Sequence, residues 1–196
     1  MVSGWRGSHD TDFLGSAMST RGFIGLGSNL GDRIAVILKA VDVIDETPGI
    51  SVSRLSTLLE TNPVGLAEQP DFLNAVAEVR STLSPLEAME SLLSIEQSLG
   101  RVRSEGDQGG PRIIDLDLLL WGECTSESPG LQLPHPRLPD RAFVLVPMVE
   151  LAPDLVHPTL AKSMQVLLAE EMKRNGELLD RCRPAGRGPL RTPDLD

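Results

Sequence analysis

An α+β fold built on an antiparallel sheet is what this sequence predicts, and three observations predict it. Apolar runs of strand length alternate with stretches of helical periodicity in the order β, α, β, β, α, β. The second helix carries clear start and stop signals, and the second half of a doubly wound parallel sheet is missing. That order is the one expected of a ferredoxin-like split βαβ core, its sheet covered by helices and with further C-terminal helices appended.

The elements follow in chain order. "GFIGLGSN" reads as a first strand running into a glycine turn, after which Ile34, Ile37, Leu38, Val41 and Ile44 repeat at helical spacing to about Glu46. Pro48 and Gly49 stop that helix. "ISVSRLSTLLE", Ile50 to Glu60, reads as one strand, and "TNPVGLAEQPD" as a loop rich in Pro, Gly and Asn. In a strand from Phe72 to Arg80, Leu73, Ala75, Ala77 and Val79 share one face, leaving Phe72, Asn74, Val76 and Glu78 on the other. The next helix has Ser84 as N-cap, Pro85 in its first turn and Glu87 closing a capping box. Leu86, Met89, Leu92, Leu93 and Leu99 form its stripe, and Gly100 ends it. "RVRSEGDQGGP" is a glycine-rich loop, followed by a strand from Ile113 to Trp121 and a short strand at "LQLP". Helices are expected from about Asp140 to Leu151 and from Ala161 to Met172. Residues 22–173 make one domain on this reading. Residues 1–21 are expected to be a disordered extension, with Met18 an alternative start, and residues 174–196, which lack periodicity, a flexible tail.

The 196 residues, 40% of them hydrophobic, suffice for one domain with a proper core. A formal charge of −10 argues against nonspecific binding to nucleic acid or anionic membranes, so a polyanionic ligand must be held by a local cluster. Cys124 and Cys182 lack metal-ligand spacing and fit a reducing cytoplasm. No apolar run approaches the roughly 20 residues of a membrane span, and the N-terminus lacks the apolar core of a signal peptide.

The strand "IIDLDLLLW" raises the central question. Alternation puts Ile114, Leu116, Leu118 and Leu120 on one face and Ile113, Asp115, Asp117, Leu119 and Trp121 on the other. Two carboxylates side by side repel and lose hydration, so a cation or a shared proton is needed. Arg101, Arg103 and Arg112 flank the strand, and arginine forks match phosphate oxygens while paired aspartates suit Mg²⁺. Together they outline a Mg²⁺-polyphosphate site, against the blander reading of a structural salt-bridge cluster. His135 and Arg141 add two phosphate-capable groups. A third set, Thr61 to Gly65 with Phe72 and Asn74 on one strand face, could sandwich and read a flat heterocycle. "GLGSNLG" does not make a dinucleotide site, because Gly25, Gly27 and Gly31 have the wrong spacing. Its plainer reading is a tight turn in which Asn29 bonds locally.

Five motifs in order, "GLGSNLGDR", "QPDFLNA", "IEQSLGRVR", "GPRIIDLDLLL" and "LPHPRLPDRAFVLVPM", resemble those of the 6-hydroxymethyl-7,8-dihydropterin pyrophosphokinases of folate biosynthesis. The resemblance runs from about Phe23 to Pro158. It implies transfer of the pyrophosphoryl group of ATP to the pterin hydroxymethyl, with release of AMP. By motif position it implies that Asp115 and Asp117 hold two Mg²⁺ ions and that Arg101 and Arg112 act on the transferring phosphates. Arg103, His135 and Arg141 would hold ATP. Asn74 would read the pterin edge, helped by Thr61, Pro63 and Val64, while Phe143 stacks on the pterin with Phe72 nearby and Glu96 lies close to the pocket. A cytoplasmic monomer acting on two small molecules is expected. The sequence departs from the family at Gly109, where an aromatic, often Trp, is common before Gly-Pro-Arg, and one residue is extra between Arg103 and Arg112; weaker ordering of this loop by ATP is expected. Two other readings compete: a nucleotidyltransferase, disfavoured by the long gap between Gly27-Ser28 and Asp115, and a noncatalytic ATP- and pterin-binding relative.

Overall fold

The computed structural model of the chain describes residues 19–62, 69–101, 110–175 and 182–185. Pro63, Val64, Arg103 and Gly109 lie outside the described residues, as do most of the expected terminal extension and tail.

Among the described residues the main sheet has six strands. Strand β1 (Thr20–Ser28) lies between β5 (Asp115–Trp121) and β4 (Phe72–Ser81), and β4 in turn pairs with both β2 (Ile50–Leu55) and β3 (Leu59–Thr61). Every pairing is antiparallel. Helices α1 (Arg33–Asp45) and α2 (Pro85–Ser98) cover one face, where Ile24, Leu26, Leu73, Ala75, Ala77, Leu116 and Leu118 meet Ile37, Ile44 and Leu92 in the larger core. The other face carries Phe23, Val76 and Leu119 under α3 (Ala142–Leu151) and α4 (Met164–Arg174).

Local chemistry sets the helix boundaries. Ser84 Oγ accepts the Glu87 N–H and the Glu87 carboxylate accepts the Ser84 N–H, the expected capping box, a feature whose loss costs about 1 kcal/mol. Asp32 caps α1 by accepting the Ala35 N–H, and Gly100, at φ +92°, turns the chain out of α2. A single 3₁₀ turn, Leu138–Asp140, precedes α3, so that helix starts two residues later than its periodicity suggests. Likewise α4 begins after Ser163, whose hydroxyl accepts the Val166 N–H, rather than at Ala161.

Three expectations are corrected. The segment 50–60 is two strands, interrupted where the Ser56 hydroxyl takes the Val76 N–H. Gly25 and Gly27 do not form a turn: both lie within β1, and the turn falls at residues 29–32. In β5 the simple alternation fails at Leu119, which is bulged, since Phe23 pairs with Leu120 but Ile24 with Leu118. The bulge sends Leu120 to the α3 face and Trp121 to the larger core, where the indole lies against Gly22 so closely that a Cβ there would sit 2.3 Å from a ring carbon. Beyond α4, β8 (Cys182–Pro184) pairs with β3 along the outer edge of the sheet. A hairpin of β6 (Ser126–Ser128) and β7 (Leu131–Leu133) accounts for the expected short strand.

Candidate active site

The α3/α4 face of the sheet opens into the site where β1, β4 and β5 end together. Gly27 of β1 pairs with Asn74 of β4 on one side and with Asp115 of β5 on the other, and Gly25 likewise lies between Val76 and Asp117. The glycines therefore form a floor without side chains between an amide and two carboxylates. A Cβ on Gly27 would come within 3.3 Å of Asn74 Oδ1 and 3.8 Å of Asp115 Cβ.

The carboxylates are not buried in the sense the strand pattern suggests: the side chains of Asp115 and Asp117 are 25% and 33% exposed. Each has its own cations. Arg112 Nη1 donates to Asp115 Oδ2 at 2.5 Å and Arg101 Nη1 to Asp115 Oδ1 at 2.5 Å, so two arginines clasp one carboxylate. Arg141 Nη1 donates to Asp117 Oδ2 at 3.1 Å, with His135 Nε2 at 3.7 Å from the same oxygen. Two carboxylates ~7 Å apart, the repeat of alternate strand positions, repel by about 2 kcal/mol at a surface-like dielectric, and an arginine in contact attracts by at least twice that. Pairing wins, and the face is held close to neutral by the chain's own residues.

Behind this layer, Glu96 is buried on α2. Its carboxylate accepts the Leu116 N–H at 2.8 Å and also pairs with Arg101, which fixes the guanidinium against the strand. Burial opposes the charge on Arg101, but Asp115 and Glu96 outweigh it and hold its pKa above the usual value. For Arg141 burial dominates and pushes the pKa down, Asp117 opposing. His135 is lowered by burial in the first place. Asp117 works in the opposite direction, and Arg141 and Arg137 in the same one as burial. Its Nδ1 accepts the Arg137 N–H at 3.1 Å, so the neutral ring carries its proton on Nε2, toward Asp117. Arg141 also lies over the Phe143 ring at 5.5 Å, which joins the aromatic group in the first turn of α3 to the phosphate-capable cluster.

At the β3/β4 end of this row, Asn74 Nδ2 donates to Thr61 Oγ1 at 2.7 Å, both groups being buried, and Phe72 sits opposite Thr61 in register. Two residues here escape sequence reasoning. Asn29 does not bond locally: buried in the turn after β1, it accepts the Arg112 N–H and donates to Gln69 Oε1 and Pro70 O. Arg33 bridges the Asp71 carbonyl and Glu60, both at 2.7 Å. No local signal marks these residues, because their partners come from distant loops.

Among the described residues no group of three or more His, Cys, Asp or Glu side chains converges as a resident metal cage. Two hard carboxylates on one open face nevertheless fit Mg²⁺, which is commonly held by one or two carboxylates with substrate phosphates completing the shell. The donor set is compatible with a metal that arrives with its nucleotide.

The chain has recognisable relatives. The family model of 7,8-dihydro-6-hydroxymethylpterin-pyrophosphokinase matches residues 23–153. The chain is 45% identical over 137 residues to the 2-amino-4-hydroxy-6-hydroxymethyldihydropteridine pyrophosphokinase of Methylorubrum extorquens, covering 70% of this chain and 85% of that one. It is 40% identical over 146 residues to folic acid synthesis protein fol1 of Schizosaccharomyces pombe, which it spans for only 20% of that protein's length. The fold is shared with a crystal structure of Plasmodium falciparum HPPK-DHPS with pterin and p-hydroxybenzoate, at a TM-score of 0.67 and 15% identity, over 85% of this chain and 47% of that one. The chain belongs to the 7,8-dihydro-6-hydroxymethylpterin-pyrophosphokinase family.

Proposed function

We infer that the chain transfers the pyrophosphoryl group of ATP to the hydroxymethyl group of 6-hydroxymethyl-7,8-dihydropterin, giving the pterin pyrophosphate and AMP for folate biosynthesis. The observation that carries this reading is the row Asn74, Gly27, Asp115: an amide able to read a heterocycle and a carboxylate cluster able to face phosphates, separated by one glycine on a single sheet face.

In this reading Asn74, oriented by Thr61, reads the edge of the pterin, and Phe72 and Phe143 bound its ring. Pro63 and Val64 complete that side by motif position. Asp115 and Asp117 would hold Mg²⁺, two ions by family resemblance, which neutralises phosphate charge when bound. Arg112, now clasping Asp115, would then be released toward the transferring phosphates, while Arg101, still held by Glu96, would offer them the remaining N–H groups of its guanidinium; Arg103, Arg141 and His135 would face ATP. His135, whose Nδ1 accepts the Arg137 N–H, would donate from Nε2. In-line transfer mostly requires such positioning and charge compensation. The sheet order supports the finer description of a ferredoxin-like core, with β4 inserted between β1 and β2. We read the protein as a cytoplasmic monomer.

The test is a chromatographic assay of purified protein with ATP, Mg²⁺ and the pterin, beside Asp115→Ala. AMP and pterin pyrophosphate formed by the wild type alone are the expected result. Release of inorganic pyrophosphate would indicate nucleotidyl transfer instead, and bound but unconverted ATP a noncatalytic relative.

A further inference from the structure

The family match ends at residue 153, yet a strand far beyond it borders the site. In β8, Cys182 pairs with Thr61, Arg183 with Glu60 and Pro184 with Leu59, and the Ala185 N–H continues the ladder by donating to the Leu58 carbonyl at 2.8 Å. Bonded positions alternate along an antiparallel pair, so Arg183 is the next bonded position after Ala185. Pro184, which has no N–H to give, falls where none is required, as an edge strand allows. The pairing is thus consistent with the sequence at each position. Ala185 also packs against the larger core.

What β8 pairs with matters more than the pairing itself. Strand β3 ends in Thr61, the hydrogen-bond partner of Asn74. The next residue, Asn62, donates from Nδ2 to Asp71 Oδ1 at 2.7 Å, and Asp71 immediately precedes Phe72. Arg183 Nη2 reaches the other oxygen of the same carboxylate at 3.4 Å. Arg33 holds the Asp71 carbonyl and Glu60 from the α1 side. One carboxylate therefore joins the two strand ends that carry Thr61 and Phe72, and the C-terminal strand grips it from outside the sheet.

We propose that β8 is a positioning element for the pterin side of the site, acting through the β3 pairing and the Arg183–Asp71 contact to hold Thr61 and Phe72 in place. Arg183 touches neither substrate in this account and is a positioning residue. The inference rests on the reading of Thr61, Phe72 and Asn74 as the pterin side.

The test uses the full chain and steady-state kinetics with each substrate varied in turn. Arg183→Pro, which removes a ladder N–H, is expected to raise KM for the pterin about tenfold and to leave KM for ATP within twofold. Arg183→Glu, which sets a like charge against Asp71 and keeps the backbone, is expected to raise it about threefold, and Arg183→Lys to restore the wild-type value. If Arg183→Pro does not fold, Arg183→Glu and Arg183→Lys decide alone. An unchanged pterin KM in Arg183→Glu, or equal increases for pterin and ATP, overturns the proposal. Both require a wild type that saturates with pterin; a wild type that does not bind pterin removes the reading of the site itself, and the proposal with it.

Discussion

Asn29 and Arg112, 83 residues apart in sequence, hold each other by two hydrogen bonds: Asn29 Oδ1 accepts the Arg112 N–H at 2.7 Å, and the Asn29 N–H donates to the Arg112 carbonyl at 3.1 Å. The same side chain donates to Gln69 and Pro70 on the other side of the site. One buried amide thus fixes the backbone of a candidate catalytic arginine relative to the loop that leads into β4. Asn29→Ala removes the side-chain bonds and leaves the main-chain one. It is expected to lower kcat about tenfold, roughly 1.4 kcal/mol of transition-state stabilisation. Single-turnover rates at saturating substrates check this; a rate within twofold of wild type would reduce Asn29 to a turn residue.

Asp117 pairs with Arg141 and His135 through one oxygen and is a third exposed, so little of the fold depends on it. Asp117→Ala should therefore leave the melting temperature within about 3 °C while lowering Mg²⁺-dependent turnover by roughly 10³ or more, if the carboxylate holds a metal. Activity surviving within about tenfold would remove that role. Arg112→Ala should cost turnover on a similar scale, by the logic of arginines that meet charge developing on phosphate.

Gly27 offers a test of the floor between the two halves of the site. Its backbone suits any residue, so Gly27→Ala should fold. The added Cβ would sit 3.3 Å from Asn74 Oδ1, tight enough that the amide must shift by a few tenths of an ångström from its place against Thr61. Pterin affinity is expected to fall about tenfold, measured by titration of the pterin's own fluorescence, with ATP affinity little changed. An unaltered pterin affinity would mean that Asn74 does not read the pterin.

Much of this was legible beforehand, and the failures have a common physical cause. The capping box at Ser84 and Glu87 and the two faces of β4 are written locally, in spacing and propensity, and the structure has them as expected. The clasp of Arg101 and Arg112 on Asp115 follows from chain proximity, whereas Arg141, 24 residues from Asp117, needed α3 to bring it back. Gly25 and Gly27 read as a turn because strand interiors seldom favour glycine, and the reason they sit in one lies in Asn74, Leu119 and Asp115 on neighbouring strands. The bulge at Leu119, which redirects Leu120 and Trp121, is likewise a property of pairing with β1. Strand β8 has three residues, too few for any periodicity, and depends entirely on the edge that β3 leaves open.

His157 gives a pH dependence whose sign can be stated. It is buried between α3 and α4, its Nδ1 accepts the Leu160 N–H at 3.3 Å and lies 3.2 Å from Thr159 Oγ1, and among the described residues its Nε2 has no partner. Burial pushes its pKa below the ordinary value. The unfolded chain therefore takes up this proton first as pH falls, so the stability His157 contributes is complete above about pH 6.5 and is lost as pH drops toward the folded pKa. His157→Asn keeps an acceptor for the Leu160 N–H and removes the titration. Melting temperatures between pH 8 and pH 5 should fall more steeply for the wild type than for the variant, the difference opening below about pH 6.5. His135, also lowered by burial, acts in the same direction but is present in both proteins and cancels. Parallel curves would mean that the folded protein accommodates the charged ring, and that the loop between α3 and α4 opens to water before the fold is lost.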